Sequence, residues 1–415
     1  MDNSKRKRLR SNSENDIYYY KIQERSKNDF YFKLQSRDKQ IDILNKENEI
    51  YNYFHTETPL RYKIIYSSLP IHTKSLIIHK IDIFESMSID HMEYNKLSKW
   101  FKGLSQIPFD TYIKIPVSLK DSDDKIQNFI SDSYQILSKT IYGQLEAKNK
   151  IMQILAQWIS NPNSLGQIIA LEGPPGVGKT SLIKNGVSKV LNRPFCFYAL
   201  GGATDISNLE GHSYTYEGAN WGRMIEMLME SKVMNPVIFF DELDKISDSS
   251  KGNEISGLLT HLTDNTQNSI FHDKYFTGID IDFSKVIFFF SFNDINLINP
   301  ILKDRLTIIK FTGYSIEEKI SIVKDFIIPH LLKNIGFSLD DINIDANIIK
   351  YILLNYTENE SGVRNIKRVI EDIFLKINLL KLMKNNNSID INYNIPNLGF
   401  PLNLTIEIIN NLLKK

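Results

Sequence analysis

The sequence predicts an α/β fold: a parallel sheet covered by helices, a smaller helical domain after it, and a polar, partly helical extension before it. Three observations predict it. Short apolar runs alternate with helix-like segments between residues 167 and 292. Two of the runs, Val237-Ile238-Phe239-Phe240 and Val286-Ile287-Phe288-Phe289-Phe290, are wholly apolar, as strands buried on both faces should be. Finally, the octet Gly173-Pro174-Pro175-Gly176-Val177-Gly178-Lys179-Thr180 follows the run Gln167-Ile168-Ile169-Ala170-Leu171 and precedes the helix-like Ser181-Leu182-Ile183-Lys184. It has the form G-x-x-x-x-G-K-[ST], in the strand, loop and helix setting that this pattern needs.

Bulk composition narrows the classes. With 415 residues, 42% of them hydrophobic, the chain can bury a sizeable core in two or three domains. Its 50 Lys and Arg balance 49 Asp and Glu to a net charge of +1, so overall charge calls for neither nucleic acid nor an anionic membrane. The single cysteine, Cys196, lies in the apolar run Pro194-Phe195-Cys196-Phe197-Tyr198 and can form neither an internal disulfide nor a thiolate zinc cage. A reducing intracellular setting, cytoplasmic or nuclear, is the expectation. No apolar run is long enough to cross a bilayer, and the basic N-terminus lacks the apolar stretch of a secretory signal.

Taken in order, residues 1–15 read as a disordered tail carrying Lys5-Arg6-Lys7-Arg8-Leu9-Arg10, a run that serves equally as an import signal, a phosphate-contacting arm or a solvated tail. Residues 16–92 contain a helix-like stretch from Arg37 to Tyr53 but no motif that names a role. Leu97, Trp100, Phe101 and Leu104 recur at helical spacing, and a second helix is expected from Ser122 to Ser138. Ile141-Tyr142-Gly143 then turns into an amphipathic helix with Ile151, Ile154, Leu155 and Trp158 inward, ending near Asn161-Pro162. Tyr142, just upstream of the octet, either covers an adenine ring or packs in the core. Beyond the octet come a strand from Arg193 to Ala199, a helix from Trp221 to Lys232, a strand from Pro236 to Asp241, a helix from Asn253 to Leu262 and a strand from Lys285 to Phe292. In open α/β sheets, ligands sit at the carboxyl ends of such strands.

Each residue type in the octet has a physical task. Glycines let successive backbone N–H groups turn toward one anion, and the helix starting near Lys179 adds its positive dipole end. Lys179 reaches the β and γ phosphates of a nucleoside triphosphate, and the Thr180 hydroxyl ligates Mg²⁺. Asp241-Glu242, closing the apolar run, supplies the second half of such a site. Neighbouring side chains on an extended segment point to different sides, so Asp241 holds the metal shell while Glu242 polarises the attacking water. Asn293 can position the same water, although turn chemistry at Asn293-Asp294 explains it as well.

With these residues, Leu200-Gly201-Gly202, Gly211-His212, Thr215-Tyr216, Gly218-Ala219, Gly222-Arg223, Asn235-Pro236-Val237 and Leu243-Asp244-Lys245 together resemble the AAA+ module of Lon proteases. Leu104 to Phe109 and Tyr142-Gly143 resemble the helical approach to that module. Gln267-Asn268, Phe271, Asp273, Tyr275, Leu302, Asp304-Arg305, Gly313-Tyr314 and Ser361-Gly362-Val363-Arg364 keep its order, so the likeness runs from about Tyr94 to the C-terminus. It implies a P-loop AAA+ sheet domain over residues 93–314 and a small all-α lid over 315–415. It also implies ATP and Mg²⁺ as ligands, Glu242 as water activator, Asn293 as first sensor, and Arg364 as the lid residue that senses the γ-phosphate. Arg305 becomes an arginine finger acting on ATP held by a neighbouring subunit, which implies a ring, expected to be a homo-hexamer, and Tyr216 becomes the gripping residue of a substrate loop.

The residues alone agree in outline. Ser361 can cap a helix with Val363, Ile366, Ile370, Phe374 and Ile377 on one face, which leaves Arg364 in its first turn. A surface pair with Asp304 would equally account for Arg305, and a solvated cation for Arg364. Tyr214 and Tyr216 either share the tip of a mobile loop or pack together as a hairpin against the sheet. Two departures from the family stand out. Its Ser and Lys peptidase follows the lid, whereas this sequence ends at Lys415, and residues 1–92 are too short and polar for its substrate-binding N-domain. In the substrate loop, Ser213-Tyr214 replace two basic residues and Glu217 an aliphatic one. The expected function is an ATP-hydrolysing ring that threads or remodels proteins without proteolysis. Rival expectations are a weakly hydrolysing partner of a complete Lon and, from Lys5 to Arg10 alone, a nucleic-acid translocase.

Overall fold

The computed structural model describes residues 27–54, 58–162, 164–202, 205–358, 360–383, 393–395 and 398–413; the basic run Lys5 to Arg10 lies outside them. The described residues divide into two compact units, one ending at Gln106 and the other beginning at Ile107. The first is helical, with helices at Lys27–Lys33, Arg37–Phe54, Leu60–Tyr66, Ile71–Ser86 and Tyr94–Gln106. The four residues whose spacing marks the last of these, Leu97, Trp100, Phe101 and Leu104, are all buried, and the Lys80 ammonium lies 4.5 Å from the centre of the Trp100 ring.

In the second unit five strands form one parallel sheet: β1 Ile168–Glu172, β2 Phe195–Ala199, β3 Val237–Asp241, β4 Ile287–Phe292 and β5 Thr307–Lys310. Their order is β2-β3-β4-β1-β5. The two apolar runs form β3 and β4, which lie inside the sheet and are buried at every residue except Asp241. Alternate side chains serve the two faces. Ile169, Leu171, Phe239 and Phe289 join one core with residues of the helices Asp123–Thr140 and Leu145–Ser160. Phe240 stacks against Phe288 and Phe290, with ring centroids 6.2 and 5.2 Å away. Because every strand runs the same way, the chain leaves the sheet at Glu172, Ala199, Asp241 and Phe292 along one edge.

A lid follows, with helices at Ile316–Ile322, Ile328–Ile335, Ala346–Tyr356, Arg364–Met383 and Ile406–Leu412 around Ile349, Ile352, Ile370, Phe374 and Ile377. Ser315 and Glu318 close a capping box at its first helix. The lid is not wholly helical, since Ile342–Asn343 pairs in parallel with Leu402–Asn403. Nor does Ser361 cap the last long helix. That helix begins at Arg364, and the Glu360 carboxylate accepts the Asn365 N–H, while the Ser361 carbonyl accepts the Tyr314 N–H at 2.9 Å. Ser361 comes too early because Gly362 and Val363 first lie against the octet loop. Among the described residues no helix is long and apolar enough to cross a membrane.

Candidate nucleotide site

A cavity of about 510 Å³ opens where β1, β3 and β4 end. It is lined by Pro175, Gly176, Val177, Gly178, Lys179 and Thr180 of the octet, by Asp241, Glu242, Ser291 and Asn293 at the strand ends, and by Tyr142, Tyr314, Phe326, Arg364 and Lys367. Gly173 and Pro174 are not among its lining residues. The loop can turn there because Gly176 and Gly178 have φ of +79° and +95°, a region that side chains disfavour. Helical backbone begins at Lys179, as the motif requires.

Lys179 binds both ends of the site together. Its Nζ donates to Asn293 Oδ1 and to the Phe292 carbonyl, each at 2.9 Å, and to the Gly173 carbonyl at 2.5 Å. Burial pushes the ammonium down to about 8, although Asp241 and Asp244 pull the other way. A partly buried cation held by neutral oxygens is suited to exchange them for phosphate oxygens, which form stronger charge-assisted bonds.

The acidic pair behaves as two separate groups. Asp241 Oδ1 accepts the Ser291 hydroxyl, and also the Glu242 N–H at 3.1 Å. Glu242 has φ 60° and ψ 46°, an uncommon backbone state for a residue with a Cβ and one that collects at functional sites. Its carboxylate takes up the space that a Cβ on Gly201 would need. Thr180 and Asp241 offer oxygen donors only, the set that suits Mg²⁺.

The lid meets the loop by close backbone approach. Val363 N–H donates to the Gly176 carbonyl at 3.2 Å, and a Cβ on Gly362 would overlap the Pro175 carbonyl oxygen. Tyr314 Oη lies 2.9 Å from the Val177 carbonyl and 3.3 Å from that of Tyr142, and donates to both. Tyr142 lines the cavity and also packs on the lid core.

Two expected site residues stand elsewhere. Arg305 does not line the cavity; its Nη1 pairs with Asp264 at 2.5 Å, not with Asp304. Tyr216 is 70% exposed, whereas Tyr214 is half-buried, its ring edge-on to Tyr275 with centroids 6.4 Å apart. The two tyrosines therefore differ in exposure, Tyr214 packed on Tyr275 and Tyr216 facing outward. Among the residues at or beside the site that were not expected there are Ser291, Asp244 and Lys367. Ser291 is a lone hydroxyl in a strand otherwise made of Ile and Phe, and that isolation is its signal. Asp244, with a side chain only 1% exposed, accepts the N–H groups of Asn293 and Asp294 at 3.2 and 3.3 Å on one oxygen, while the other has no partner among the described residues. Lys367 lies three residues after Arg364 on the same helix face.

Comparison with known proteins agrees with this geometry. Residues 169–314 match the family "ATPase family associated with various cellular activities (AAA)", and residues 333–389 match "Lon protease AAA+ ATPase lid domain". The chain carries a Lon-type AAA+ module. It is 36% identical over 386 residues to a Lon protease homolog of Acanthamoeba polyphaga mimivirus, an alignment covering 90% of this chain and 36% of the relative. With a mitochondrial Lon protease homolog of Schizosaccharomyces pombe, the match is 34% over 310 residues, 74% of this chain and 28% of the other. With a Lon protease of Campylobacter jejuni it is 32% over 387 residues, 91% and 48%. The chain thus spans between 28% and 48% of the length of these relatives. The module's sheet domain and lid are the two elements that build the cavity.

Proposed function

We propose that this module binds ATP with Mg²⁺, hydrolyses it, and uses the cycle to remodel or thread protein clients as a ring of like subunits, in line with a hexamer. One observation carries the reading: Lys179 of the phosphate loop and Asn293 of the next strand end meet at 2.9 Å in a cavity that also holds Asp241, Glu242 and Arg364. In this reading Lys179 and the loop N–H groups bind the β and γ phosphates, and Thr180 and Asp241 hold the metal. When bound, Mg²⁺ would neutralise charge building on the phosphate oxygens. Glu242 takes the proton of the attacking water, and Asn293, its backbone held by Asp244, fixes that water's position. Arg364 brings a cation from the lid, and Arg305, outside its own cavity, serves the nucleotide of a neighbouring subunit.

Glu242→Gln tests the core of this reading. ATP affinity should stay near wild type while turnover falls by about 10² or more, the scale of general base catalysis. Turnover near wild type in that variant sinks the assignment. The exposed Tyr216, with Glu217 beside it, is the proposed client contact, and the carboxylate favours basic over acidic clients. Cutting of the client lies outside the proposal.

A further inference from the structure

We infer that Asp264 is the positioning residue for Arg305, clamping one edge of the guanidinium so that its other donors point toward nucleotide bound by a neighbouring copy. This rests on the ring reading above. Asp264 follows the helix Ser250–Leu262, and its carboxylate is fixed from its own side before it meets Arg305. Oδ1 accepts the Thr266 N–H at 2.9 Å and its hydroxyl at 2.6 Å, and Oδ2 accepts Gln267 Nε2 at 3.1 Å. Those bonds, with the Arg305 pair, hold the carboxyl well below the usual carboxylate range. Rotating it would break three local bonds.

The pair is end-on. One nitrogen, Nη1, lies 2.5 Å from Oδ2, and the side chains of Arg305 and Asp264 remain 31% and 16% exposed. Arginine presents five N–H donors in a rigid plane, so fixing one edge sets the direction of the rest. The backbone supports the same geometry, because Arg305 N–H donates to the Leu302 carbonyl at 3.1 Å and closes the turn after the helix Pro300–Lys303. An arginine that acts across a subunit boundary gains from being held in one orientation, since displacements of about 1 Å cost up to about 10²-fold in rate.

The test compares Asp264→Asn, Arg305→Ala and the double variant in the full chain, reading ATP turnover, ATP affinity and melting. Asn keeps an acceptor for Thr266 but loses the charge. Turnover of Asp264→Asn should fall about tenfold to 10²-fold with ATP affinity unchanged. The double variant should be no slower than Arg305→Ala alone, because the two residues act as one unit. Mixing Asp264→Asn with Glu242→Gln should restore part of the turnover, since intact arginines from one subunit then meet intact Glu242 in the other. A residue that merely held its own subunit together would show no such rescue. If Asp264→Asn melts early, Asp264→Glu carries the same measurements, with turnover again below wild type at unchanged affinity. Wild-type turnover in the Asp264 variants beside an impaired Arg305→Ala overturns the inference, and raised turnover would make Asp264 a latch instead. Arg305→Ala at wild-type turnover overturns the ring reading itself and this inference with it.

Discussion

Gly362→Ala is a small change with a calculable consequence. A Cβ there would overlap the Pro175 carbonyl oxygen and lie 2.7 and 2.9 Å from the carbonyl carbon and Cα of Gly176. All three are backbone atoms of the phosphate loop, so no side chain can swing aside. Gly362 is not among the residues with positive φ, so the backbone state itself admits alanine and the clash alone acts. Overpacking of one methyl costs about 1–3 kcal/mol, and losing the adjoining bond from Val363 N–H to Gly176 adds about 0.5–1.5 kcal/mol. Their sum of about 1.5–4.5 kcal/mol corresponds to roughly 10- to 10³-fold in the equilibrium that seats the lid on the loop. Arg364 and Lys367 lie on the helix that follows, so they retreat with it. The assay is ATP turnover at subsaturating nucleotide together with binding of a fluorescent ATP analogue. Gly257→Ala is the control: it sits exposed in a helix with nothing among the described residues within 4 Å of its added Cβ, and should keep activity with stability raised by about 0.4–1 kcal/mol. Wild-type turnover and nucleotide affinity in Gly362→Ala would refute the view that this approach seats Arg364.

Gly201→Ala should lower turnover by about tenfold or more without weakening ATP binding or melting, because the displaced atoms are the mobile end of Glu242, whose proposed role as base would be worth about 10²–10⁴; an unchanged rate would separate Glu242 from the chemistry. Tyr216→Ala should keep basal turnover and assembly but lose stimulation by an unfolded protein, given its 70% exposure, and early melting would instead make it a packing residue. Asp273 is buried and its carboxyl is pushed up to about 6 by burial, despite accepting the N–H groups of Gly222, Tyr275 and Phe276. A raised carboxyl contributes stability that is fully present below its unfolded value and lost as pH rises through about 6. Between pH 7 and pH 5 wild type should therefore gain about 1.3 kcal/mol relative to Asp273→Asn in denaturant unfolding, and parallel pH profiles would contradict that.

The parts of this site that were legible in the sequence are those whose chemistry is local. The octet, the apolar run into Asp241-Glu242 and the strand into Asn293 each declare themselves within a few residues, and the sheet brings them to one edge. Contacts set by register or by loop closure were not legible. Ser291 reaches Asp241 only because β3 and β4 are neighbours, and nothing in the local sequence of either strand says so. Arg305 pairs with Asp264, far along the chain, and not with the adjacent Asp304, since the turn after Leu302 directs it there. Ser361 looked like a cap because the helical period runs back to Val363, but the close approach of Gly362 to Pro175 delays the helix. Tertiary contact overrode local preference in each case.

The split between Tyr214 and Tyr216 bears on how the proposed client contact would reach Asp241 and Glu242. The base of their loop is tied down, with Gly211 N–H bonded to the Ser207 carbonyl at 2.8 Å, His212 N–H to the Asn220 carbonyl at 3.0 Å, and Gly222 N–H to Asp273 at 2.8 Å. Tyr214 and Trp221 both stand edge-on to Tyr275, which is buried. The exposed tip at Tyr216 therefore rises from a stiff base. From Gly222 the helix Arg223–Ser231 leads straight to β3, and β3 ends at Asp241 with Glu242 next. On the proposed reading, force on Tyr216 would pass through the Gly222 to Asp273 bond and this helix toward the strand that ends at Asp241. Residues 222–242 form a contiguous, largely buried element between the two places, and coupling on the proposed reading would run along it.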